Sequence, residues 1–104
     1  MLKAREHLGA QFQDLASSSE DWQDLYFEDC TFFHCYFSGA KIFGCHFLSC
    51  RFGNCDFTQS DLSESDFRGA QNYQLNPAEN KIKGARFSLP KALQLLTELG
   101  IHIG

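Results

Sequence analysis

Large apolar side chains recur at every fifth position along most of the chain. Nine of the 11 phenylalanines share one phase of this period, and other large apolar residues fill the gaps. A period of five fits neither an α-helix nor the alternation of a long strand, so the backbone turns once in each unit. We call these inward positions the core ladder: Trp22, Phe27, Phe32, Phe37, Ile42, Phe47, Phe52, Phe57, Leu62, Phe67, Ile82 and Phe87.

A second, smaller side chain lies two positions before each large one. All five cysteines, Cys30, Cys35, Cys45, Cys50 and Cys55, lie in this small inward slot, which alanine and serine fill in other units. Residues two apart in an extended segment point to the same side, so both positions face inward. The remaining positions are mostly polar or glycine, which suits a corner. The pattern predicts a solenoid of short strands joined by corners.

The units CDFTQ, SDLSE and SDFRG, at residues 55–69, resemble the A-(D/N)-L-x-x motif of the pentapeptide-repeat family. The resemblance covers residues 22–69 without a gap and, more loosely, residues 10–88. It implies an all-β solenoid, a right-handed quadrilateral β-helix with four units in each coil, in which residues twenty apart stack. About four coils at a strand spacing of about 4.8 Å would form a rod of about 20 Å.

The chain divides into the β-helix at residues 1–88 and a C-terminal cap at residues 89–104. The repeat is regular over residues 20–69 and fails over residues 72–81, where asparagine and proline replace large apolar residues, so we expect a loop or distorted coil there that leaves the register unchanged. His7 and Ser17 also depart from the phase, which predicts an irregular first coil, with residues 1–9 as a short or poorly ordered cap.

The C-terminal segment is expected to cover the end of the core. Ser88 and Pro90 suit the start of a helix and Gly100 suits the residue past its end, which predicts a helix over Leu89–Leu99 with a broad apolar face. Ile101–Ile103 then alternates like a short strand.

Apolar residues at predicted outward positions mark a candidate interface, because exposed aromatic side chains often lie at protein contacts. An alternative for Phe33 and Phe43 is that residues 1–19 cover them within the monomer. The candidate interface residues are Phe33, Tyr36, Phe43, Leu48, Leu93, Leu96, Ile101 and Ile103.

The residues able to carry chemistry follow the same period. Successive units place the thiols on different sides of a coil, which favours core packing over a tetrahedral metal site. Ladder geometry and a reducing cytosol also disfavour a disulfide between stacked cysteines such as Cys30 and Cys50. Asp56, Asp61 and Asp66 occupy an outward position that favours turn stabilisation over acid–base catalysis. Without a nucleophile motif or a phosphate-binding loop, we predict a protein that is not an enzyme, with no catalytic residue, cofactor or metal.

The 104-residue chain carries a net charge of −4, and its basic residues are scattered, which argues against direct binding to nucleic acid. Acidic residues gather near residues 20–29 and basic residues near residues 81–91. No apolar run is long enough for a membrane segment, and no signal peptide precedes the repeats. We therefore expect a cytoplasmic protein with reduced thiols.

Three functions are consistent with these features. The favoured hypothesis is a non-catalytic module that binds a protein partner and forms a homodimer. The closing LGIHIG, at residues 99–104, is similar to the tail of the pentapeptide-repeat proteins that protect bacteria from quinolones, which implies as an alternative a DNA mimic that binds DNA gyrase or another topoisomerase. A rod of about 20 Å matches only about six base pairs, and the acidic charge is not a continuous stripe. A structural or storage role without a specific partner is the third hypothesis.

Overall fold

The computed structural model describes residues 4–89 and 91–101. In this part of the chain, eight strands of three residues precede one helix. The elements are β1 (Glu6–Leu8), β2 (Gln11–Gln13), β3 (Asp21–Gln23), β4 (Tyr26–Glu28), β5 (Thr31–Phe33), β6 (Lys41–Phe43), β7 (His46–Leu48), β8 (Arg51–Gly53) and α1 (Lys91–Glu98).

Every strand pairs in parallel with the strand twenty residues away, which confirms the β-helix. Side one of the coil is the sheet β1-β4-β7, side two is β2-β5-β8, and side four is β3-β6. Side three is held by single bridges that join Ala16 to Tyr36 and Tyr36 to Asp56. Four sides with a twenty-residue register are the geometry that five-residue units predict when four of them complete a coil.

The corners between sides have a left-handed backbone. Two positions after the second inward-facing residue of each unit, the backbone has a positive φ in every unit from Gly9 to Gly69. Corner N–H groups donate to the next coil, as from His34 N to Gly53 O at 2.8 Å and from Asp24 N to Phe43 O at 3.1 Å. The corner conformation therefore serves both to turn the chain and to bind adjacent coils.

Stacked aromatic rings fill the interior. All ten ladder residues from Trp22 to Phe67 are buried, whereas Ile82 and Phe87 are only partly buried. On side one, the ring centroids of Phe27 and Phe47 lie 5.2 Å apart, and the Phe67 centroid lies 4.9 Å from that of Phe47. Such offset stacking favours the twenty-residue register beyond simple burial.

The first coil is more regular than the sequence predicts. Strand β1 pairs His7 with Phe27, and the His7 ring stacks on the Phe27 ring with centroids 5.0 Å apart. Ser17 is buried and its N–H donates to Tyr36 O at 2.9 Å. The expected irregularity is therefore wrong for the described residues, because an imidazole ring and a small buried hydroxyl continue the ladder.

The interruption after residue 71 inserts its own core residues. Tyr73 is buried, with its ring centroid 5.1 Å from that of Phe67, and Leu75 is also buried. Lys81 then bridges to Asp61, so the register resumes without a shift, as the phase predicts.

Helix α1 is shorter than predicted. It spans Lys91–Glu98 and not Leu89–Leu99, and Pro90 lies outside the described residues. Gly100 ends it with a φ of 81°, and the Ile101 N–H donates to Leu96 O at 3.0 Å, the C-terminal motif that glycine favours. Ile101 is in no strand, and the rest of the predicted terminal strand lies outside the described residues. In the described part of the chain, no helix has the length and apolar character needed to cross a membrane.

Candidate protein-interaction surface

An apolar groove opens between the last coil and helix α1. Its volume is about 260 Å³. The core ladder ends here without a further coil above it, which explains why Ile82 and Phe87 remain partly exposed. The groove is lined by Ile82, Ala85, Phe87, Ala92, Leu95, Leu96 and Leu99.

The helix covers only part of this end. Leu95 is buried against the core, whereas Leu93 and Leu99 are 42% and 44% exposed. Leu96 is half-buried in the groove wall, and Ile101 is exposed. The predicted broad apolar face is thus divided between the chain's own core and a surface that the described residues leave open. The predicted interface residue Ile103 lies outside the described residues.

Two contacts fix the helix on the solenoid. The Lys91 ammonium nitrogen lies 5.1 Å from the centroid of the buried Tyr73 ring, a cation–π contact. Ser88 Oγ accepts a hydrogen bond from the Gly69 N–H at 2.9 Å. The interruption thus supplies the ring on which the cap rests, a role that the sequence pattern did not reveal.

The other predicted interface residues do not form one patch. Phe33 ends β5 on side two and Phe43 ends β6 on side four, and these sides face away from each other across the coil. Tyr36 lies on side three and Leu48 on side one. Residues ten apart occupy opposite sides of a four-unit coil, so the idea of a shared Phe33 and Phe43 face is wrong.

Phe33 has a partner within the chain. An ideal Cβ placed on Gly53 would lie 2.7 Å from Cδ1 of Phe33, so the Phe33 ring rests on the bare Gly53 backbone of the next coil. Phe33 remains 42% exposed and Phe43 45% exposed, so residues 4–19 do not cover them as the alternative supposed. Phe33 therefore has a structural role that accounts for much of its position.

The side chains in the small inward slots are hydrogen-bond donors as well as being small. The Cys45 thiol donates to Trp22 O and the Cys50 thiol to Phe27 O, each at 3.6 Å across adjacent coils. Ser65 Oγ donates to Ile42 O at 2.6 Å in the same manner. Burial raises the pKa of Cys45 to about 11 and of Cys50 to about 12. Serine in this slot is the sequence signal that could have identified the donor role.

The remaining thiols differ in exposure. Cys30 and Cys35 are buried like Cys45 and Cys50, whereas Cys55 is half-buried.

Within residues 4–89 and 91–101, no group of three or more histidine, cysteine, aspartate or glutamate side chains is arranged to hold a metal ion.

One row of charged residues on the outer surface alternates in sign. On side four, bridges and strand pairing align Asp21, Lys41, Asp61 and Lys81 in one row along the axis. Such a row places opposite charges on neighbouring strands, which is the stabilising arrangement. Side four therefore presents no continuous acidic stripe.

Asp66 is the buried carboxylate of side one. The Arg68 guanidinium donates to it at 2.8 Å, and His46 Nδ1 lies 3.8 Å away. The hydrogen bonds from Arg68 lower the pKa of Asp66 more than its burial raises it.

The other two outward aspartates stabilise the backbone turns that follow them. Asp61 Oδ1 accepts a hydrogen bond from the Ser63 N–H at 3.0 Å, and Asp56 Oδ1 accepts one from the Thr58 N–H at 2.8 Å.

The parallel register, the four-sided coil and the donor-lined slots define a β-helical repeat protein. The family model described as pentapeptide repeats (8 copies) matches residues 44–71. These residues carry the repeats of the pentapeptide-repeat family, as the resemblance in the sequence predicted.

One solved structure gives the same fold, and others are less similar. A pentapeptide repeat protein from the thylakoid lumen of Arabidopsis thaliana superposes with a TM-score of 0.70 at 22% identity, over 79% of this chain and 57% of that one. This chain therefore spans little more than half the length of that protein. QnrB1, a plasmid-mediated fluoroquinolone resistance protein, matches with a TM-score of 0.42 at 10% identity, over 95% of this chain and 90% of its own. The pentapeptide repeat protein Rfr23 of the cyanobacterium Cyanothece matches with a TM-score of 0.33 at 10% identity, over 82% and 88%. No curated protein sequence matches the chain.

Proposed function

We propose that the protein is a non-catalytic interaction module that forms a homodimer through its C-terminal end. The observation that carries the proposal is the apolar groove of about 260 Å³ beside helix α1. Leu93, Leu99 and Ile101 extend this apolar surface outward, at 42%, 44% and 47% exposure.

A second copy is the partner that best fits this surface. Two-fold association would place the same apolar residues of both chains against each other, as the commonest type of homodimer interface requires. The groove would receive leucine side chains from the partner helix, and both open core ends would become covered. The exposed apolar side chains would then lie in an interface instead of in water.

The test is the molar mass of the full chain in solution, measured by light scattering and sedimentation equilibrium. We expect a dimer, and we expect Leu93→Glu to shift it to monomer by placing a charge in the apolar contact. Gln94→Glu, on an exposed position of the same helix, is the matched control and should leave the dimer intact. A monomer at every concentration, or a dimer unaffected by Leu93→Glu, would refute the proposed contact.

The alternative of a DNA mimic gains no support from side four, where the charges alternate. A gyrase supercoiling assay with a quinolone and the added protein separates the two hypotheses. If the protein at micromolar concentration neither inhibits supercoiling nor protects against the drug, the DNA-mimic hypothesis is eliminated and the interaction-module hypothesis is unaffected.

A cytoplasmic location remains part of the proposal, tested by fractionation of the cells that produce the protein.

A further inference from the structure

Two cysteines of side three lie one directly above the other. Cys35 and Cys55 occupy the same inward slot on successive coils, and the Asp56 N–H donates to Cys35 O at 3.0 Å beside them. Neighbouring strands lie about 4.8 Å apart. This spacing falls within the range of about 4.4–6.8 Å between the Cα atoms of disulfide-bonded cysteines.

Cys55 is also the thiol that the fold leaves open. Among the described residues, the bridges of side three end at Asp56, because the interruption provides no strand to stack on it. A groove of about 400 Å³ takes the place of the missing strand, with Cys55, Leu75 and Asn80 among the residues in its wall. Cys55 is half-buried, whereas Cys35 behind it is fully buried.

The other thiols provide internal comparisons. Cys30 and Cys50 are stacked in the same way on the corner between sides one and two, but both are buried. Cys45 has Leu25 and Ser65 at its register positions, twenty residues before and after it, so no thiol stacks on it. Stacking and access therefore coincide at one pair among the five cysteines.

The stacked thiols also change each other's ionisation. The hydrogen bond between the two thiols lowers the pKa of Cys35 to about 7 and raises the pKa of Cys55 above its usual range. Because the two groups are coupled, the first proton is lost from the pair as a unit, and the proton that remains is held at Cys55. The pair therefore holds a thiolate on Cys35, directly behind Cys55, the thiol that the groove exposes to a reagent.

We propose that Cys35 and Cys55 form an oxidisable dithiol in which Cys55 is the point of attack for low-molecular-weight disulfides. The Cys55 thiol passes its proton to the Cys35 thiolate and attacks one sulfur of such a disulfide, whose S–S bond breaks and releases one thiolate. The Cys35 thiolate then attacks the Cys55 sulfur and releases the second thiolate. Two protein thiols are oxidised to one disulfide and the reagent is reduced to two thiols, with the protein's protons passing to solvent or to the leaving thiolates.

The geometry also makes the bond easy to reduce. The Cβ atoms of stacked residues in a parallel ladder lie as far apart as the strands, whereas a disulfide brings them to about 3.8 Å. The bond therefore strains the coil, and strained disulfides are the ones that thiols reduce readily. The site would respond to the ratio of small disulfides to thiols and would not act as a permanent cross-link.

The test uses the folded full chain and oxidised glutathione, followed by alkylation, trypsin digestion and mass spectrometry. Cleavage after Lys41 and Arg51 separates Cys35, Cys50 and Cys55 into three peptides. We expect a cross-link between the peptides holding Cys35 and Cys55, with Cys55 reacting at least about tenfold faster than Cys50. An excess of reduced glutathione should reverse it.

Serine variants identify the role of each sulfur, and Ser65 shows that serine fits this slot. Cys55→Ser should abolish the reaction, and Cys35→Ser should arrest it as a mixed disulfide on Cys55. Cys50→Ser is the matched control and should leave the cross-link unchanged, and circular dichroism establishes that each variant is folded. Equal or faster reaction at Cys50, or the same products from the Cys35→Ser chain as from the parent, would overturn the proposal.

Discussion

At each corner from Gly9 to Gly69, one residue holds a left-handed backbone, which costs most L-amino acids about 1–2 kcal/mol. Asparagine and aspartate tolerate it better, and glycine best. One corner row of the solenoid contains Ser19, Gly39 and Gln59, with φ values of 62°, 70° and 55°. Gln59 is exposed and makes no side-chain hydrogen bond in the described structure, so its strain has no local compensation.

Gln59→Gly should therefore stabilise the protein. We expect the free energy of unfolding to rise by about 0.5–1 kcal/mol, because the relief of left-handed strain exceeds the extra entropy that glycine has in the unfolded chain. Urea unfolding measured by circular dichroism provides the value. Gly39→Ala, at the same corner one coil earlier, should lower stability, and a loss of stability in Gln59→Gly would contradict the strain argument.

Substitution of Phe33 tests the role of a single exposed aromatic residue. Phe33→Ala should lower the free energy of unfolding by about 1–2 kcal/mol, because the Gly53 backbone would lose the ring that rests on it. Phe43→Ala is the control. Phe43 is similarly exposed, but the residues twenty positions before and after it are Gln23 and Ser63, so its ring has no glycine in the next coil to rest on. Equal losses in both variants would show that the glycine contact contributes nothing specific.

At the scale of single strands and sides, cross-coil charges decide how stability depends on pH. Hydrogen bonds from Arg68 hold the pKa of Asp66 below its usual range. For Asp61, burial raises the pKa, but the Ser63 hydrogen bonds and the charges of Lys81 and Lys41 outweigh it. Carboxyls with lowered folded-state pKa values stabilise the fold above the unfolded value of about 3.9, and this contribution is lost as the pH falls below it.

The protein should accordingly lose stability as the pH falls from about 5 to about 3. Asp66→Asn should be less stable at neutral pH and less sensitive to acid over this range, and Arg68→Gln should have the same effect in part. Urea unfolding at several pH values measures both quantities. If the acid sensitivity of Asp66→Asn equals that of the parent, then Asp66 does not contribute to it.

The strands and sides of the coil also show how far the sequence predicts the structure. The period and phase of the large residues predict which positions face inward, and the resemblance to the pentapeptide-repeat family implies the twenty-residue coil that sets the register. Tyr73 is different, since it lies outside the phase and enters the core only where the interruption frees the chain from the coil. The contact between Phe33 and Gly53 requires knowing which side of the coil each strand occupies. The C-terminal groove was predicted only as an apolar helix face, because the division between its buried and open parts depends on how the helix packs.

For the molecule as a whole, the central issue is whether the cap serves the chain's own core or a partner. Both functions use the same short helix, but different residues. Leu95 is 4% exposed and covers the last aromatic layer, whereas Leu93, two residues earlier, is 42% exposed. A structural cap and an interface should therefore respond differently to substitution at these two positions.

Leu95→Ala should lower the free energy of unfolding of the dilute monomer by about 2–4 kcal/mol through the cavity it leaves. Leu93→Ala should change the stability of the monomer by much less but weaken the association of two chains. Urea unfolding at low concentration and sedimentation equilibrium at high concentration separate the two quantities. If Leu93→Ala destabilises the monomer as much as Leu95→Ala and leaves association unchanged, the whole helix serves the core, and the dimer must use another surface. If the two variants diverge as expected, one helix both closes the solenoid and presents its end to a second copy, because its leucines point in two directions.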